Sequence, residues 1–275
     1  MVPIRTRYEN VTHRPAPFEA PQQMTPVSAG PRLPNPTDPD SSVRAVLFDL
    51  DGTLYRQPPV RALMALELLT LPFYGPLQAP QRWRALAAYR RAQERLRVAG
   101  GARSATTQVV MAATEAGMPV GDVERLANEW IHVRPLKYLR LCRAPGVEAL
   151  VSWLAGKGIR MGLLSDYPAA AKLAALGLAG RLAPVLCATD PEIGTFKPHP
   201  RGFLRAASLW QLPPSEVLVV GDRIDADAAG AAAAGMPCVI IGRQTIAQSR
   251  QSTPGRRHAV LPSLEVLHHV LEHGR

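Results

Sequence analysis

Cysteine is scarce: Cys142, Cys187 and Cys238 are the only three in 275 residues. Odd in number, far apart and without a CxxC spacing, they argue against a disulfide framework or a zinc knuckle and suit a reducing compartment. Long apolar runs are missing too. None approaches about 18 residues, so no segment is expected to span a membrane. Arg5, Arg7 and Arg14 near the N-terminus have no apolar stretch behind them, so a secretory signal is not expected either. These absences together predict a cytoplasmic protein. Acidic residues are in short supply, 22 against 32 Lys and Arg, for a net charge of +10. Such a surplus suits an anionic partner, nucleic acid included. Its distribution tempers that reading. Residues 56–143 hold fourteen basic residues against six acidic ones, so the excess is concentrated in one stretch. Solvated helix faces are the simpler account of it and an anionic substrate or partner the sharper one; nucleic acid is not the expected partner.

Hydrophobic residues make up 47% of the chain and charged ones 20%, the balance of a globular protein. Residues 1–42 depart from it. They carry nine of the 27 prolines and no hydrophobic period, which predicts a disordered or loosely attached extension. Beyond Val43, five apolar runs read as strands: 45–49, 159–164, 184–188, 217–221 and 237–241. Ala- and Leu-rich segments with helical spacing lie between the later ones, at 146–156, 169–176, 202–210 and 226–234. Alternating strands and helices imply right-handed crossovers and an α/β fold, a doubly wound parallel sheet with helices on both faces. About 110 residues separate the first two strands, far more than a crossover needs. Helix-period positions fill that interval at 60–71, 80–98, 104–116 and 120–142. In the second of these, Trp83, Leu86, Tyr89, Gln93 and Leu96 form one stripe, with Arg84, Arg91 and Arg95 on the other side. The expected organisation is an extension at 1–42, a core of 43–56 and 144–275, and an inserted all-helical module at 57–143.

The chemistry gathers at strand ends. "LFDLDGTLY" places Asp49 and Asp51 one residue apart directly after an apolar run, on one side of an extended chain. At about 4 Å and an effective dielectric of about 20, two such charges repel by roughly 4 kcal/mol. That is about three pKa units, enough to keep one of the pair protonated. "MGLLSDYP" ends the second strand with Ser165 and Asp166. "VLVVGDRIDAD" ends the fourth with Asp222 and continues to Asp225 and Asp227, and "GTFKPHP" sets Lys197 in a Pro-flanked loop before a helix. In open parallel sheets, ligands bind outside the carboxyl ends of strands where the strand order reverses. If the first strand is central, Asp49, Ser165 and Asp222 are neighbours. Elsewhere, Glu265, His269 and His273 recur at i, i+4 and i+8. They could bind a metal but read more simply as a solvated end of an amphipathic helix.

In this order, "DLDGTL", Ser165, Lys197 and "GDRIDAD" resemble the four motifs of the haloacid dehalogenase (HAD) superfamily of hydrolases over residues 44 to about 270. The resemblance implies a Rossmann-like core with a helical cap at 57–143. It implies Asp49 as a nucleophile that becomes an aspartyl-phosphate, and Asp51 as the residue that protonates the leaving group and then deprotonates water. It implies Mg2+ held by Asp49, the Asp51 main-chain carbonyl and Asp222, supported by Asp227, with Ser165 and Lys197 on the phosphoryl oxygens. The dehalogenase branch lacks the second aspartate of the first motif, so Asp51 favours phosphoester chemistry. Asp166 departs from the pattern, because phosphatases of this type usually carry Asn there. A carboxylate at that position either repels substrate or turns away and caps the following helix.

The expected function is Mg2+-dependent hydrolysis of a small phosphorylated metabolite. The rivals are a phosphotransferase or phosphomutase with the same intermediate, and a basic nucleic-acid or protein binding module with a vestigial site. The eight surplus charges of the helical module suggest a substrate with anionic charge beyond the phosphate being cleaved. Arg84, Arg91 and Arg134 are candidate contacts for it. Oligomeric state is not legible in the sequence.

Overall fold

Val46, Leu47 and Phe48 are buried at the centre of the sheet in the computed structural model of the chain, within β1 (Ala45–Phe48). The structure describes residues 43–70, 78–99, 105–242 and 258–273, so the expectation for the Pro-rich segment 1–42 lies outside it. β1 runs parallel between β2 (Arg160–Ser165) and β4 (Val217–Gly221), with Ala45 opposite Arg160 on one side and Val217 on the other. β3 (Val185–Cys187), β5 (Cys238–Ile241) and β6 (His258–Leu261) complete a six-stranded parallel sheet in the order β3-β2-β1-β4-β5-β6. The chain winds from β1 outward in one direction and from β4 outward in the other. The order therefore reverses between β1 and β4, where the crevice of a doubly wound sheet opens.

Both faces of the sheet are covered, which is why its central strands read as unbroken apolar runs. Alternation by two sorts their side chains. Val46, Phe48, Leu163, Leu218 and Val220 join one buried cluster with α6 (Val147–Gly156), α7 (Ala170–Ala175) and α10 (Leu264–His273). Ala45, Leu47, Leu164, Val217 and Val219 join another with α8 (Arg201–Trp210) and α9 (Ala229–Ala234). β6 is absent from the sequence reading. Its four residues are only half-buried at the sheet edge, and the apolar run within them is only three residues long.

Between β1 and β2 the described residues form α1 (Gln57–Leu68), α2 (Ala79–Ala99), α3 (Ala105–Ala116), α4 (Val120–Ala127) and the short α5 (Leu136–Leu139). The periodic stretch at 120–142 is not one helix. It relaxes into a π-helical turn at Asn128–Val133, and Pro135, which lacks an N–H, precedes α5. The segment leaves and returns side by side, with Arg56 N–H donating to the Cys142 carbonyl at 2.9 Å and Ala144 N–H to Leu54 at 3.0 Å. Leu86, Tyr89 and Leu96 of the expected α2 stripe are buried. Trp83 is partly exposed, and its ring N–H donates to the Leu68 carbonyl at 3.1 Å. Among the described residues no helix is long and apolar enough to cross a membrane.

Gly162 of β2 is a close-approach position. A β-carbon there would lie 2.7 Å from Cζ2 of Trp210 and 2.9 Å from the Pro184 carbonyl oxygen. Trp210 cannot easily yield, because its ring N–H donates to the Ala183 carbonyl at 3.1 Å. Gly162→Ala is expected to destabilise the protein by about 1–3 kcal/mol through overpacking. Urea unfolding of the variant beside the parent measures it; equal midpoints would refute the packing argument.

Candidate active site

β1 delivers Asp49 to the switch point, where its N–H donates to the Val220 carbonyl of β4 at 2.8 Å. Lys197 meets it from the loop before α8. The Lys197 ammonium contacts Asp49 Oδ1 at 2.5 Å and Asp227 Oδ1 at 2.7 Å, and all three residues are buried. Thr53 donates to the other Asp49 oxygen at 3.0 Å. Asp227 Oδ2 accepts the main-chain N–H groups of Asp222 at 3.2 Å and Arg223 at 3.0 Å, which folds the β4–α9 turn back on itself. Asp49, Asp222 and Asp227 can each offer an oxygen within 4.8 Å of the others, and so form a cluster that could hold a metal ion.

The electrostatics of this cluster are unbalanced, with three carboxylates around one ammonium. Burial pushes the Asp49 carboxyl well above the ordinary range; Lys197 pulls it back, while Asp227 and Asp222 add to the rise. Burial, with Asp227, lifts Asp222 to about 6. Burial disfavours the Lys197 ammonium, yet Asp227 and Asp49 hold its pKa well above that of a free lysine. A divalent cation would supply the missing positive charge. Room for the carboxylates comes from two glycines, since a β-carbon on Gly52 would lie 2.0 Å from Asp222 Oδ2 and one on Gly221 would lie 2.4 Å from Asp227.

Asp51 belongs to a different arrangement. Lys172 of α7 contacts both of its oxygens, at 2.6 and 2.8 Å, and the Tyr55 hydroxyl donates to Oδ1 at 2.5 Å. Burial opposes ionisation of Asp51, but Lys172 and Tyr55 overcome it and hold the carboxyl below the usual range. Asp51 is therefore not the member of the pair whose surroundings favour a protonated carboxyl. The carboxyl that is raised is that of Asp49, through burial and the charges of Asp227 and Asp222. The Asp51 main-chain carbonyl accepts from Gln57 Nε2 at 2.9 Å, which leaves its second lone pair available.

Ser165 is buried at the end of β2, and its Oγ accepts the Tyr167 N–H at 3.2 Å. Asp166 does not cap α7, which starts at Ala170 without a side-chain cap. One oxygen of Asp166 accepts the Lys197 main-chain N–H at 3.2 Å, and the other pairs with the buried guanidinium of Arg97 from α2. Asp225 lies apart, ion-paired with Arg223 on the surface. Sequence reasoning missed Lys172, Tyr55, Thr53 and Arg97. Lys172 stands alone among alanines and leucines in its helix, and that isolation was the one available signal.

A family model of haloacid dehalogenase-like hydrolases matches residues 43–235, which span every strand-end group described above. The chain belongs to that family. HAD-type relatives include phosphatases. The chain is 31% identical over 222 residues to a phosphoglycolate phosphatase of Shigella boydii, covering 72% of this chain and 80% of that one. It is 28% identical to a glyceraldehyde 3-phosphate phosphatase of Methanopyrus kandleri, covering 73% and 84%. The fold is similar to a 2-haloacid dehalogenase from Pseudomonas syringae, with a TM-score of 0.59, 25% identity and coverage of 85% of this chain and all of that one. This HAD hydrolase has both aspartates of "DLDGTL" and the Asp166–Arg97 pair.

Gly52 has φ of +110° as well as Asp222 against it, so both backbone and space exclude a side chain there. Gly52→Ala should displace Asp222 and weaken divalent-cation binding by at least about tenfold. Calorimetric titration with Mn2+ tests this, with circular dichroism to confirm the fold. Unchanged affinity would remove Asp222 from the ligand set.

Proposed function

We propose that this HAD hydrolase is a Mg2+-dependent phosphomonoesterase that acts on a small phosphorylated metabolite through an aspartyl-phosphate on Asp49. The observation that carries the reading is the separation of the two aspartates of "DLDGTL" onto different lysines, Asp49 on Lys197 and Asp51 on Lys172. Two carboxylates in unlike surroundings suit two unlike roles. Both line a cavity of about 390 Å³, in the size range of small-molecule sites.

In this scheme an Asp49 oxygen attacks phosphorus and the bond to the leaving oxygen breaks. Asp51 passes a proton to that oxygen, then takes one from the water that cleaves the acyl phosphate. In the resting site Asp51 is a carboxylate that accepts from the Lys172 ammonium and the Tyr55 hydroxyl. The proton it relays to the leaving group would come to it from one of these donors, and the proton later taken from water would restore that donor. Lys197, already beside Asp49, balances charge on the phosphoryl oxygens, and Ser165 can donate its hydroxyl to them. Asp49, Asp222 and the Asp51 carbonyl would hold Mg2+ with Asp227 in support, and the ion when bound would supply Lewis-acid charge neutralisation. Residues 57–143 would serve as a cap that closes over the cavity and excludes water. A phosphotransferase shares these steps up to the intermediate; phosphate release rather than transfer to an added alcohol separates the two. A basic binding module is a weaker reading, because Arg91 and Arg95 are paired with Glu115, and Arg134 with Glu67 and Glu129.

Phosphate release from a panel of phosphomonoesters should require Mg2+ and should fall at least about 1000-fold in Asp49→Asn. Near-wild-type turnover by that variant, or undiminished turnover after chelation, would overturn the scheme.

The cavity also narrows the substrate class. Arg84 and Arg91 do not line it, and Arg134 lines a separate pocket. Its six basic side chains are instead Arg61, Arg90, Arg97, Lys172, Lys197 and Arg223. Four are ion-paired with carboxylates, whereas Arg61 and Arg90 have no such partner among the described residues. Burial and the charge of Arg61 both lower the pKa of Arg90, so the two would be relieved by an anion between them. In Arg61→Met and Arg90→Met, the preference in kcat/KM for carboxylate-bearing over neutral phosphomonoesters should drop about tenfold, or 1.4 kcal/mol. An unchanged ratio in both variants would return these arginines to the solvated surface.

A further inference from the structure

Asp166 sets an electrostatic problem that the proposed function does not resolve. It follows Ser165 directly, is buried, and accepts the main-chain N–H of Lys197, the residue that would balance charge on the phosphoryl oxygens. Its charge reaches the Lys197 ammonium: burial works to lower that pKa, and Asp227, Asp49 and then Asp166 raise it. Asn at this position would make the same bond to the Lys197 N–H without the charge. A phosphate dianion entering here meets a carboxylate beside its binding groups, and like charges in a poorly screened site repel by several kcal/mol.

The compensation comes from α2. Arg97, itself 8% exposed, ion-pairs with Asp166, and Gln93 one turn earlier donates to the same Asp166 oxygen at 3.4 Å. Arg97 also contacts Glu94 at 2.9 Å, and Glu94 reaches Arg223 beside Asp222 at 3.4 Å. Leu96 packs with Phe196, the residue before Lys197, and with Ala188. One polar edge of α2 thus grips the loops that follow β2 and β4, and one apolar residue grips the loop of Lys197. Arg97 lines the cavity, and its Nε is buried without a hydrogen-bond partner among the described residues. A buried guanidinium with a spare N–H is poorly explained as a structural pair alone.

We propose that Arg97 is the counter-ion that lets a carboxylate stand beside the phosphoryl position, so that phosphate affinity depends on α2 lying over the site. Arg97 is a positioning residue in this account. It acts through Asp166, by cancelling its charge and fixing the carboxylate on the Lys197 loop. This rests on the phosphatase reading and adds to it that the helical segment takes part in recognising the phosphate itself, not only the leaving group.

The two accounts, structural pair and charge compensation, separate in a double-mutant cycle. The probe is inorganic phosphate, titrated calorimetrically into the full chain with Mg2+ present and checked as a competitive inhibitor of turnover. Arg97→Gln removes the charge and keeps a hydrogen-bond donor; it should weaken phosphate binding at least tenfold. Arg97→Lys should restore most of it. Asp166→Asn combined with Arg97→Gln should bring affinity back to within about threefold of the parent, because the repelling charge has gone. Melting temperatures monitor folding. If Arg97→Gln does not fold, the double variant alone decides, since phosphate binding by it supports the proposal and its absence refutes it. Equal phosphate affinity in the parent and Arg97→Gln overturns the proposal, as does an equal loss in the single and double variants, and both leave the phosphatase reading standing. A parent protein that neither binds phosphate nor releases it from any ester refutes both.

Discussion

Lys197 holds two buried carboxylates with one ammonium, and the geometry of the whole crevice follows from that contact. It ties the end of β1 to the turn after β4, across the gap where the strand order reverses. Removing one member of a buried ion pair typically costs about 3–5 kcal/mol, because the charge left behind has neither water nor a partner. The triad is still short of positive charge. Asp227 spends both oxygens on Lys197 and on two main-chain N–H groups, so it serves as a fixed strut. Asp49 and Asp222 are left under-compensated, and their carboxyls are raised accordingly. A site built this way is energetically incomplete as protein alone, which is a condition for binding a cation and an anion together.

The parallel sheet makes such a contact possible at tolerable cost. Because β1 is central, its carboxyl end is flanked by β2 and β4, and three chain segments deliver polar residues to one place without burying an edge. The apolar clusters on the two faces supply the stability, so the crevice does not have to. Gly52 and Gly221 mark where the demand for space is greatest, since their missing β-carbons are occupied by Asp222 and Asp227.

Much of this was legible in the sequence for a physical reason. Asp49, Ser165 and Asp222 each end an unbroken apolar run, and strands buried on both faces leave no ambiguity about where the chain emerges. Four interior runs and the edge run of β3 were therefore found nearly at their true bounds, whereas β6, half-buried at the other edge, was not read as a strand. What could not be read were the partners. Lys172 and Arg97 lie on helices, and whether a helical residue faces an aspartate 70 or 120 positions away depends on how the helix is rotated against the sheet. That rotation is set by packing, not by local pattern. The state of Asp51 has the same origin: its closeness to Asp49 was foreseeable, but Lys172, which holds its carboxyl below the usual range, was not.

The charges of the helical segment gain meaning only once they are sorted by partner. Counted in sequence, its eight surplus positive charges are one undifferentiated field. In the structure, Arg91, Arg95 and Arg134 are spent on glutamates of the same segment, and Arg97 is spent on Asp166 of the β2 loop. Arg61 and Arg90 line the cavity with no carboxylate partner among the described residues. The first group holds helices to one another, Arg97 joins α2 to the loop after β2, and the last two line the cavity. The same residue type thus does three different jobs, and burial together with the nearest carboxylate determines which. A net charge says that an anion is welcome; only the unpaired remainder says where it would sit.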